Sequence, residues 1–151
     1  MTRVIGDRDR FAVEIGELVS PQLRVVDLWA AGRRLTVDDN TAYVPSFCHS
    51  FRMAARRFPV APFPGCSPEE TFRLLDEDRG GFRSGYRFFE WTEIVDNVSG
   101  YRYLDGDLVL VFTFWRATHP VPDEVGRVLV ARVSPVEFTS IVETAVAFLS
   151  S

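Results

Sequence analysis

No lysine occurs in this chain; all 17 of its basic residues are Arg. A codon usage rich in Arg, Ala and Val accounts for that, and no function follows from it. Cysteine is nearly as scarce. Cys48 and Cys66 are too few for a disulfide framework and fit a reducing compartment. Histidine occurs only at positions 49 and 119. With no CxxC, HxxxH or HExxH spacing, no metal site is recognisable. No apolar run is longer than that from Leu108 to Phe112, a strand's length and far below the roughly 20 residues of a membrane span. The opening Met1 to Asp7 lacks the basic start and apolar run of a secretory signal. These absences point to a cytoplasmic protein with no membrane partner.

Twenty-one acids against 17 bases leave a net charge of −4. That balance argues against direct nucleic-acid binding, which needs a basic face. It fits a basic protein partner, whose encounter an acidic surface speeds, although mild acidity also simply keeps a protein soluble.

Apolar residues are plentiful. Thirteen Phe, 4 Tyr and 3 Trp in 151 residues supply enough area to offset chain entropy. One domain spanning 1–151 is expected, since two independent cores would be hard to build at this length. In the stretch 11–19, Phe11, Val13, Ile15 and Val19 share one side at period two, which predicts a strand with one buried face. Strands follow at 23–29 and around 33–37. The period then changes. Pro45 opens a helix carrying Phe47, Phe51, Ala54, Ala55 and Phe58 on one side. Three prolines make 59–65 irregular. A second helix starts at Ser67, with Pro68 in its first turn and Glu70 completing a capping box, and runs to about Asp78. Strand patterns occupy 86–93, 100–103, 107–116 and 127–133, with an Asp105-Gly106 hairpin turn before the third. The third is apolar on both faces and should lie centrally. Ser134 to Glu137 repeats the capping grammar before a final helix. The order βββααββββα predicts an α+β fold with one mainly antiparallel sheet of about seven strands.

No catalytic or cofactor site assembles from these residues. Cys48 and His49 are adjacent in a helix, so their side chains point about 100° apart and cannot form an activated pair. Asp105 and Asp107 belong to a turn and lack the other ligands of a calcium loop. Gly80-Gly81 is not part of a phosphate loop, and no GxSxG elbow is present. What remains is surface. Glu90, Trp91, Glu93 and Asp96, with Tyr101 and Tyr103 on the next strand and Asp105 and Asp107 at its turn, would combine aromatics and carboxylates on one outer face. Aromatic anchors among polar groups are what protein interfaces favour. The competing reading places Trp91 and the tyrosines in the core, where large aromatics are mostly found.

The opening Ile5-Gly6-Asp7-x-x-x-Phe11-Ala12-Val13-Glu14, then Val26-Asp27-Leu28-Trp29 and Gly32-Arg33-Arg34-Leu35, resembles the start of bacterial immunity proteins of family forty-two in polymorphic toxin systems. The resemblance covers about the first half of the chain and carries no functional residues over. It implies a cytoplasmic protein that binds a cognate toxin without catalysis, and the chain's mild acidity would suit a basic toxin such as a nuclease. The alternative from the residues alone is a small enzyme or small-molecule-binding regulatory domain with an aromatic and carboxylate-lined pocket.

Overall fold

The computed structural model describes residues 2–151. Its first half is a meander of β1 (Arg3–Asp7), β2 (Phe11–Ser20) and β3 (Leu23–Ala30), all antiparallel. Two short strands, β4 (Arg33–Arg34) and β5 (Thr41–Tyr43), pair with opposite ends of β3. Phe11, Val13 and Ile15 face the core, as the alternation predicts. Val19 does not. The pairing of β2 with β3 shifts register between Ile15 and Leu18 and again before Ser20. A bulge of this kind breaks the period-two rule, and Leu18 and Val19 are left 59% and 57% exposed.

Helix α1 (Val44–Ala54) buries Phe47, Cys48, Phe51 and Ala54. It ends before Phe58, which packs on the core from the loop beyond. Helix α2 (Pro68–Glu77) is capped by Ser67, whose hydroxyl accepts from the Glu70 amide at 3.1 Å. The Glu70 carboxylate turns to Arg73 instead of closing the box. The second sheet has the order β6 (Val98–Asp105), β7 (Asp107–Phe114) and β8 (Leu129–Val133), again antiparallel. Helix α3 (Pro135–Leu149), capped by Ser134, completes the chain.

Two sheets therefore replace the single seven-stranded sheet expected, and the segment 86–93 is not a strand. Only Arg87 makes a bridge, to Tyr101. A strand would send Phe88 and Phe89 to opposite faces. Here both rings enter the same core, 4.7 Å apart and edge to face. That placement coils the backbone from Phe82 to Val95 into two 3-10 turns, Phe82–Gly85 and Glu93–Val95, joined by loop.

β7 is central, as its two-faced apolarity requires. Leu108, Leu110, Phe112 and Phe114 join the main core with β2, β3, α1 and α3. Val109 and Val111 face a smaller core beneath α2, with Phe72, Leu75, Tyr101 and Tyr103. Burying both faces of one strand ties the two cores together.

Candidate functional site

Between α1 and the coiled segment 84–96 runs a furrow made of three adjoining concavities. The first, about 400 Å³, is lined by Tyr43, Ser46, Phe47 and Ser50 on one side and Glu90 to Ile94 with Asp96 on the other. The middle stretch, about 410 Å³, shares Ser50, Glu90 and Trp91 with it and adds His49, Met53, Arg87 and Arg102. The last, about 820 Å³, shares Met53 and Arg102 with the middle and adds Arg56, Arg57, Phe58, Pro59 and Gly85. The furrow is acidic at one end and basic at the other.

Four residues expected at a partner surface, Glu90, Trp91, Glu93 and Asp96, do come together at the acid end. Glu93 and Asp96 are exposed and make no ion pair among the described residues, while Glu90 pairs with Arg87 at 2.6 Å. Trp91 is half-buried. Its indole stacks on Phe51 at 4.8 Å with the planes 9° apart, and Phe47 touches it at 5.4 Å. It forms the floor of the furrow, not an outward anchor.

The two tyrosines are a correction. Tyr101 and Tyr103 are 1% and 2% exposed and pack beneath α2. They do share one face of β6, but α2 covers that face. The Tyr101 hydroxyl donates to Asp76 at 3.4 Å, and burial, with that carboxylate's charge, pushes its pKa up. Asp105 and Asp107 are exposed at the hairpin tip, where Gly106 takes φ +75°. They stand at the far end of β6 from Asp96, about 23 Å along an eight-residue strand. They line none of the furrow's three parts.

Two aromatics beside the acid end escaped sequence reasoning. Tyr43 is exposed at the end of β5. Trp115 is 54% exposed just past β7, its indole N–H donating to the Asp96 carbonyl at 2.8 Å. The long apolar run ending in Trp115 reads as buried strand throughout, and only its position after the last paired residue releases it. The basic end was equally hidden, because Arg102 lies on β6 far in sequence from Arg56 and Arg57.

The reactive residue types sit elsewhere or apart. Cys48 is buried, its thiol pushed up in pKa by burial, while neighbouring His49 faces solvent. His119 is buried against Phe114, with ring centroids 4.0 Å apart, and its Nε2 lies 2.9 Å from Glu124. Arg33 donates to the same carboxylate at 3.0 Å. Burial pushes the Glu124 pKa up, but the hydrogen bonds and charges of His119 and Arg33 outweigh it and hold the group below its usual range. This triplet staples the loop 116–125 to β4. Among the described residues no three His, Cys, Asp or Glu are placed to hold a metal ion, and no helix is long and apolar enough to cross a membrane.

The residues 5–35 that carry the family resemblance build the β1–β2 hairpin and β3. Asp7 accepts from the Asp9 amide at 2.8 Å to shape the turn and pairs with Arg10 at 2.9 Å, and Arg10 reaches Glu137 of α3 at the same distance. Asp27 accepts from Thr36 at 2.5 Å and from Asn40, holding the 36–40 loop to β3. These roles are structural.

No protein-family model matches the sequence, and comparison with curated proteins gives no match. A solved structure shares the fold: the crystal structure of CdiI from Burkholderia dolosa AUO158 superposes with a TM-score of 0.64. The alignment covers 97% of this chain and 99% of that one at 14% identity. At that identity the likeness is one of fold.

Proposed function

We propose that this chain is an immunity protein, which binds and neutralises a cognate bacterial toxin in the cytoplasm without catalysis. The observation that carries the reading is the fold shared with CdiI, a contact-dependent inhibition immunity protein, over nearly the whole of both chains. The resemblance of residues 5–35 to toxin-immunity sequences points the same way independently of the coordinates. The family number rests on those residues alone.

The contact surface is the acid end of the furrow. Glu90, Glu93 and Asp96 supply negative charge, Tyr43 and Trp115 supply exposed aromatic area, and Trp91 gives a rigid apolar floor. Rigid aromatics ringed by polar groups are the usual energetic centre of an interface. The carboxylates suit a basic toxin, such as a nuclease, by raising the association rate.

Co-expression with the toxin domain encoded beside its gene should restore growth. Failure to restore it would count against the inhibitor reading as a whole. The surface is tested separately. Changing Glu90, Glu93 and Asp96 together to Arg should slow stopped-flow association about tenfold or more at low salt, and far less at high salt. Unchanged rates would remove the acid end from the interface.

A further inference from the structure

The basic end of the furrow holds a charge that the fold leaves without a counter-charge. Arg102 alternates with Tyr101 and Tyr103 along β6, so its side chain leaves the sheet on the face opposite α2. There its guanidinium lies 5.5 Å from the Phe58 ring centroid and 5.4 Å from that of Phe88. One Nη donates to the carbonyl of Ala54, the last residue of α1, while Nε is buried with no acceptor. No carboxylate pairs with Arg102 among the described residues. Burial lowers its pKa to about 10, a measure of how poorly the cation is solvated. A cation this far removed from water is stabilised by an anion beside it.

Arg56 and Arg57 stand at the same cavity, just beyond the end of α1, and both are exposed. Neither makes an ion pair among the described residues; the Arg56 guanidinium donates to the Met53 sulfur at 3.5 Å. Three arginines thus line about 820 Å³ of space whose other walls are Met53, Phe58, Pro59 and Gly85, with no carboxylate among them. The nearest acid in the furrow, Glu90, lines the middle stretch and is already held by Arg87. The volume is that of a small-ligand site, and guanidinium groups bind oxyanions through paired N–H donors.

We propose that the basic end of the furrow is an oxyanion site, in which Arg56, Arg57 and Arg102 bind a group carrying two or more negative charges against the apolar wall of Met53, Phe58 and Pro59. Phosphate esters and clustered carboxylates share this chemistry. The site stands on the geometry of the three arginines and does not depend on the toxin-inhibitor reading.

The test is titration calorimetry on the whole protein with pyrophosphate and, separately, with citrate, at an ionic strength fixed by sodium chloride. Saturable binding of one or both is expected. Pyrophosphate alone assigns the site to phosphates; citrate binding assigns it to carboxylates as well. The double variant Arg56→Gln/Arg57→Gln, both at exposed positions, should weaken binding by about tenfold or more, since each lost charge-assisted contact is worth roughly that factor. Arg102→Gln should weaken it further, with its far-UV spectrum checked because Arg102 also holds the end of α1. If that variant does not fold, the double variant alone decides. No saturable binding of either probe, or equal affinity in the double variant, overturns the proposal.

Discussion

At Gly6 the backbone takes φ +99°, and a Cβ there would stand 2.4 Å from the Phe11 carbonyl oxygen and 2.8 Å from Ile141 Cδ1. Backbone sterics and packing both select glycine, which explains the Gly of the Ile5-Gly6-Asp7 motif without any contact to a partner. Gly6→Ala should cost about 3 kcal/mol, from left-handed strain and overpacking together, read as a lower urea midpoint. Gly100 has a similar reason, since the rim of the Phe89 ring would lie 2.7 Å from its Cβ. Glu124 gives a pH-dependent test. Its folded-state pKa is held below the usual range, so its stabilisation is complete above the unfolded-state value and disappears as pH falls through the folded one. Glu124→Gln should be about 1–3 kcal/mol less stable than the parent at neutral pH. That gap should shrink in acid, below the ordinary carboxylate range. Urea unfolding of both proteins at the two pH values checks this, and a gap constant with pH would assign the effect to packing.

Where a segment's order is set by its own residues, the sequence was readable. Ser67-Pro68 and Ser134-Pro135 mark the starts of α2 and α3 because the cap, the proline and the N3 residue are all local. The Ser134 hydroxyl accepts from the Glu137 amide at 3.0 Å, so Ser134→Ala should cost about 1 kcal/mol, seen as a lower melting temperature. The Asp105-Gly106 turn was equally plain. The failures share a cause in contacts from elsewhere in the chain. Val19 obeys the period of β2 but lies beyond a bulge set by the β2–β3 pairing. Phe88 and Phe89 read as strand residues, yet Gly100 on a later strand opens the space that lets Phe89 join its neighbour in one core. Strands β1 and β5 are too short and too polar in sequence to announce themselves. At the candidate site, the acidic cluster was visible because it is contiguous. Tyr101 and Tyr103 were misplaced because nothing local to β6 says which of its faces α2 covers.

Across the molecule, β7 binds the two cores into one unit. A change on either face should therefore lower the same transition. Leu110→Ala, in the main core, and Val111→Ala, beneath α2, should each destabilise by about 2–4 kcal/mol and still unfold in one step. The check is coincidence of near-UV and far-UV circular dichroism melts in both variants. A separate early transition for Val111→Ala would show α2 to be an independent unit. At the same scale, the furrow has a direction. Its carboxylates lie beside the first turns of α1 and its guanidinium groups beyond the last, about 15 Å further along the helix axis. A peptide laid in this channel with its positive residues toward Glu93 and its negative ones toward Arg57 meets attraction at both ends. The same peptide turned end for end meets repulsion at both. The charge gradient would therefore fix the direction in which such a peptide lies.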